Sequence, residues 1–311
     1  MNHNDMQPKN GMQAAKLAKK VFSKFLILGV AALGVSMIHI PKAQAARCSA
    51  DASGNWTCAK QERNNAYWCG VTPWSRKVRW QVPEGTAPAG GWRTAFYYQG
   101  TTPTGTDSFK ANVGASFGMI YLPQTIHEML DDPTGSGKKY AVFAPEPPNS
   151  TVFLQFWHTN VVVPYSASCD YSFFNDFFAE IAGGSYGAAS LYNLSRRFAY
   201  GISSGGYNSS RMAVTFNGSS LWKALGVISA SYATCSGPVC GVPTLPANHP
   251  PTKFWHGTAD NTVPISTMRL YYNQLVAQGI QTQKVEHTLG HQLTSHDLGP
   301  GGVKAWFDAH Y

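Results

Sequence analysis

Ser203 stands in Gly201-Ile202-Ser203-Ser204-Gly205, a G-x-S-x-G pentapeptide. A serine hydroxyl becomes a useful nucleophile only when a base takes its proton and a carboxylate orients that base. The pentapeptide suits that chemistry when a strand precedes it and a helix follows, because the serine then sits on a strained turn with its Oγ above the sheet. Ser204 is the rival nucleophile, but the two glycines are symmetric about Ser203 alone. Between Ser203 and Asp260 there is no Asp or Glu, and Glu286 is the only other carboxylate before His291. Asp260 lies in HGTADNTVP, just after the apolar Phe254-Trp255, which puts it on a loop at a strand's end, where a triad acid belongs. It is also a candidate N-cap for the segment that follows. Four histidines come after it: His287, His291, His296 and His310. His291, on a loop behind Leu289-Gly290, is the expected base, with His296 as the alternative. His256 is expected to hold the acid's loop. His287 and His291 form H-x-x-x-H, but Gly290 and the lack of helical pattern argue against zinc. The chemistry asks for no metal and no cofactor. Two backbone N–H groups must receive the developing oxyanion. Ser204 should supply one, and Thr101, or a residue next to it, the other, from the turn after Phe96-Tyr-Tyr-Gln-Gly100.

The elements that must carry these residues follow from pattern. Strands are expected at 92–99, 140–144, 197–202, 225–228, 252–255 and 283–287. Helices are expected at 120–130, 171–181, 206–216, 263–278 and 303–309. Residues 46–80, rich in Trp, read as an irregular cover. Alternating strands and helices argue for an α/β fold with a mostly parallel sheet covered on both faces, whose ligands bind at the strands' C-terminal ends. Trp157 falls near such an end and is a candidate cleft wall, equally a core residue. Asn160 is a candidate ester contact or turn residue.

The 311-residue chain is 43 % hydrophobic and 13 % charged, so it can bury a sizeable core and does not suit disorder. Lys16, Lys19, Lys20 and Lys24 precede an apolar run from Phe25 to Ile40, and Ala43-Gln44-Ala45 follows as a small-x-small site. This reads as a secretory signal peptide, residues 1–45, with Met12 as an alternative start, and not as a membrane anchor. Residues 46–311 are then a single catalytic domain. The net charge of +8 is largely the leader's: its six lysines and one aspartate removed, 18 basic and 15 acidic residues remain. No basic stripe supports nucleic-acid binding. Six cysteines (48, 58, 69, 169, 235, 240) in an exported chain suggest disulfides, for which 15 pairings exist. Cys235–Cys240 across a Gly-Pro turn and Cys48–Cys58 are plausible local bridges, which leaves Cys69 and Cys169 for a long one.

RRFAYGISSGGYNSSRMAV, SYATCSGPVC, HPPTKFWHGTADNTVP and GVKAWFDAH, in that order, resemble the extracellular medium-chain-length polyhydroxyalkanoate depolymerases. These are α/β-hydrolases related to polyhydroxybutyrate depolymerases and feruloyl esterases. PAGGW and YYQG resemble that family's oxyanion strand, and Phe156-Trp-His-Thr-Asn160 its segment near the cleft. The similarity runs from about Cys48 to the C-terminus. It implies the triad Ser203, Asp260 and His291, secretion, and hydrolysis of a hydrophobic 3-hydroxyalkanoate polyester through an acyl-enzyme. Short-chain depolymerases usually carry a separate polymer-binding domain. The 20 residues after His291 leave no room for one, which favours the medium-chain type. A feruloyl or acetyl-xylan esterase, or a general polyester hydrolase, is the alternative. Cys69 and Cys169 stand outside the family pattern, and the segment from His291 to Gly302 is longer than expected.

Overall fold

The computed structural model describes residues 45–112, 117–148, 153–159, 164–236 and 238–311. Residues 1–44 of the expected leader, and Asn160, lie outside the described residues. Eight strands form one sheet: β1 (Gln61–Cys69), β2 (Thr72–Gln81), β3 (Trp92–Tyr98), β4 (Tyr140–Pro145), β5 (Tyr192–Ile202), β6 (Trp222–Ile228), β7 (Thr252–Gly257) and β8 (Thr282–His287). Their order is β1-β2-β4-β3-β5-β6-β7-β8. β2 runs antiparallel to both β1 and β4, and every other neighbouring pair is parallel.

Strands covered on both faces read as continuous apolar runs, and their side chains still alternate. Ala95 and Tyr97 of β3 point into one core with Tyr140 and Val142 of β4, while Phe96, Tyr98, Ala141 and Phe143 point into the other. The first core is closed by α1 (Leu122–Asp131) and α5 (Val303–Asp308). The second is closed by α2 (Cys169–Ala182) and α3 (Ser204–Thr215), and a third cluster extends it under α4 (Ile265–Ala277). The second core is dense in rings: Phe173, Phe174 and Phe177 of α2 pack with Phe96, Phe143 and Tyr186. The mostly parallel sheet with helices on both faces agrees with the expectation.

Residues 61–81 differ from it. They form the β1–β2 hairpin, not an irregular cover. Its pattern is weak because the outer strand has only one neighbour and keeps polar residues such as Glu62, Arg63 and Asn64 along it, as edge strands do. The hairpin turns through Gly70-Val71, with Gly70 at φ 62°, the glycine-first form of a tight turn.

All six cysteines are paired, as Cys48–Cys58, Cys69–Cys169 and Cys235–Cys240. Three bridges suit an oxidising compartment.

Candidate active site

β5 ends at Ile202 and α3 starts at Ser204, so Ser203 alone makes the turn. Its backbone sits at φ 55° and ψ −127°, a sparsely populated region whose strain costs about 1–3 kcal/mol. The flanking glycines are dictated by β3. A Cβ on Gly201 would lie 2.5 Å from the Tyr98 carbonyl oxygen, and one on Gly205 only 2.0 Å from it. The next turn, after β3, comes equally near: a Cβ on Gly100 would meet the Ser203 Cβ at 3.1 Å. That closeness brings Thr101 to the same cavity as Ser203. Ser204 occupies the first turn of α3 and is buried. The first N–H groups of a helix have no partner within it and carry its positive end, so they favour a developing anion there.

Gln99 was not singled out from sequence. It is buried, and its side chain clasps the Gly100-Thr101 turn: Nε2 donates to Thr102 Oγ1 at 3.0 Å, and Oε1 accepts from Ser108 Oγ at 3.1 Å. Its carbonyl accepts from Trp157 Nε1 at 3.0 Å. Trp157 is fully buried, stacked on Phe174, and does not line the cavity. Of the two roles open to it, this is the core one and not the cleft wall. The indole N–H needs a buried acceptor, finds one beneath the turn, and so props the turn from the core side.

Asp260 and His291, the candidate acid and base, arrive from the other side. Gly257 closes β7, and a Cβ there would lie 2.0 Å from the Leu289 carbonyl oxygen, so the two loops pack backbone to backbone. Thr258 N–H donates to the His287 carbonyl at 2.7 Å. Asp260 Oδ1 accepts from the N–H groups of Thr262 at 2.9 Å and Val263 at 2.8 Å. Oδ2 lies 2.8 Å from His291 Nδ1. His256 Nε2, fully buried, points at the Val263 carbonyl at 2.8 Å and at Asp260 Oδ2 at 3.2 Å. A carbonyl accepts only, so Nε2 of His256 carries the proton and serves both oxygens. His256 thus holds the acid's loop, as expected. Burial pushes the Asp260 carboxyl up, but the bonds from His256, His291 and Val263 outweigh it and hold the group well below the usual carboxylate range. An ionised Asp260 accepts the Nδ1 proton of His291 and leaves Nε2 as the basic nitrogen.

His291 and Ser203 line one cavity of about 610 Å³. Its walls are largely apolar, with Phe117, Met119, Ile202 and Leu154 among them. Phe117 meets the His291 ring edge-on at 5.5 Å, and its carbonyl accepts from Leu293 N–H at 2.9 Å. Nothing in the sequence pattern marked Phe117 or Met119. His296 is exposed, stacks on His287 at 5.3 Å, and does not reach the cavity. Asp297 beside it forms a capping box with Thr294, a T-x-x-D pattern that was readable in advance. Among the described residues, Cys48, His127 and Asp131 gather ligand-type atoms. The Cys48 sulfur is in a disulfide, and the Asp131 carboxylate already accepts from two backbone N–H groups and His127, so the donor set does not fit a metal.

No model of a protein family matches the chain. It is 45 % identical over 241 residues to the poly(3-hydroxyoctanoate) depolymerase of Pseudomonas fluorescens, covering 76 % of this chain and 80 % of the relative. Among solved structures it is similar to a thermostable esterase (TM-score 0.50, 18 % identity, 85 % of this chain and 67 % of that one). It is also similar to the Bacillus cereus carboxylesterase (TM-score 0.50, 14 % identity, 76 % and 95 %). The structural likenesses show the α/β-hydrolase fold, and the sequence likeness shows more. This chain is a carboxylic-ester hydrolase and belongs to the poly(3-hydroxyoctanoate) depolymerase family.

Proposed function

We propose that Ser203, His291 and Asp260 are the nucleophile, base and acid of a secreted depolymerase that cuts medium-chain poly(3-hydroxyalkanoate). The observation that carries this is the shared cavity: Ser203 and the Asp260-paired His291 open onto one apolar chamber of about 610 Å³. A chamber of that size and character accepts an alkyl side chain beside the scissile ester. His291 Nε2 takes the Ser203 proton as Oγ attacks the ester carbonyl. The N–H groups of Ser204 and Thr101 hold the oxyanion, and the polymer's hydroxyl end leaves with the proton from His291. Water then repeats the steps on the acyl-enzyme. Trp157 acts through the oxyanion turn it supports, not by touching substrate. Residues 1–45 are proposed as the cleaved leader, and 46–311 as the working unit.

Clearing of poly(3-hydroxyoctanoate) latex, beside methyl ferulate and acetylated xylan, tests the substrate. Clearing with little turnover of the carbohydrate esters is expected, and no clearing overturns the reading. Fluorophosphonate should label the wild type and not Ser203→Ala. His291→Ala should lose at least a thousandfold in turnover of p-nitrophenyl octanoate, and His296→Ala less than threefold. The opposite pair of results would move the base to His296.

A further inference from the structure

The β1–β2 hairpin leaves the sheet on the side where the catalytic loops gather. Val78 of β2 pairs with Pro145, the last residue of β4, so residues 72–77 run on past the C-terminal end of that parallel strand. Six residues of strand span about 20 Å. The tip lies on the same end as Ser203 and about 14 Å to its side, three strand spacings away. It is apolar and bare. Trp68 is 62 % exposed, Val71 at the turn 93 % and Trp74 45 %. From Tyr67 to Ser75 there is no charged residue. Edge hairpins usually carry charge at such places, because exposed apolar strands invite association.

The hairpin is pinned close to its turn. Cys69 is bonded to Cys169 at the start of α2. Arg76 and Asp170 form a buried ion pair at 2.7 Å, and Arg76 Nε donates to Tyr67 Oη at 2.8 Å. Tyr67 packs edge-on against Phe173 at 5.4 Å. Asp170 also accepts from His158 N–H at 2.7 Å, beside the Trp157 prop. A disulfide and a desolvated ion pair are costly means of fixing a loop that merely drifts in water. They suit one that must present rings in a set direction.

We infer that this tip is a second contact site, an apolar foot that adsorbs the enzyme onto the surface of a water-insoluble alkyl polyester. The inference rests on the polyester reading above. An uncharged surface of alkyl chains is the matching partner for an uncharged aromatic tip, and adsorption there keeps the catalytic end facing the solid.

The test compares parent, Trp68→Ser/Trp74→Ser and Val71→Asp. The Val71 change touches no packed group, so it covers a folding failure in the double variant. Adsorption to poly(3-hydroxyoctanoate) latex is measured on the Ser203→Ala background, and clearing on the active one. Turnover of soluble p-nitrophenyl octanoate, which offers no surface, reads the chemistry separately. Adsorption and clearing should fall at least tenfold, with soluble turnover within twofold of the parent. Variants that adsorb and clear like the parent overturn the foot. So does light scattering that finds a dimeric parent and monomeric variants, since a second copy would then cover the tip. A parent that turns over the soluble ester but neither adsorbs to nor clears latex overturns the polyester reading itself, and the foot with it.

Discussion

Asp260 and Asp297 are two buried carboxyls on loops at the same end of the sheet, and their surroundings drive them in opposite directions. Asp260 receives two backbone N–H groups and two imidazoles, which overcome its burial and keep it ionised. Asp297 is buried more deeply and receives only the Thr294 N–H and, weakly, the Thr294 hydroxyl, both on Oδ2. Its Oδ1 meets no donor among the described residues, and burial pushes the group up to about 7. The number of donors, not depth, decides which carboxyl can orient a base at neutral pH.

The comparison can be broken at its strong end first. Asp260→Asn should cut kcat on p-nitrophenyl octanoate by about 10⁴-fold, with unchanged circular dichroism. A loss below tenfold would mean that another group orients His291. His256→Gln sharpens the contrast, because it weakens a donor while leaving the acid. About a tenfold fall in kcat is expected, the scale of one hydrogen bond to a charged group. The depressed Asp260 stabilises the fold above the carboxylate's ordinary range, and that contribution is lost as pH falls through its folded value. With a donor weakened, denaturation curves should show the loss at a higher pH than in the parent. An unchanged acid limb would deny His256 this part. The smallest effect on turnover belongs to Asp297→Asn. Between pH 4 and 7 the unfolded chain ionises this carboxyl while the folded chain resists, so the parent loses stability as pH rises. The variant should gain about 4 kcal/mol over the parent at pH 8 and almost nothing near pH 4, with activity retained. A variant no more stable than the parent at pH 8 would show the carboxyl is ionised at no cost.

What the sequence disclosed follows the same physics. β3 and β4 were readable because burial on both faces leaves unbroken apolar runs, and the elbow because β3 forbids a Cβ at Gly201 and Gly205. Asp260 stood out through the lack of rivals before it. The β1–β2 hairpin stayed hidden because an edge strand needs no apolar pattern and its tip inverts one. Trp157 was open between wall and core, since only the three-dimensional position of the Gln99 carbonyl decides where its N–H goes. Phe117 faces His291 through a contact that joins residues far apart in the chain, and no local spacing encodes such a meeting.

The Cys69–Cys169 bridge closes a ring of chain 100 residues long. Inside it lie Gln99 to Thr102, Phe117, Met119 and Leu154, which shape the chamber; outside it lie Ser203, Asp260 and His291. Most of the apolar wall and the proposed oxyanion donor Thr101 therefore sit on one covalent circuit, and the proposed triad on another. A reductant that opens this ring removes one covalent tie from the wall and from Thr101, while the proposed triad keeps its own scaffold of β5, β7 and β8.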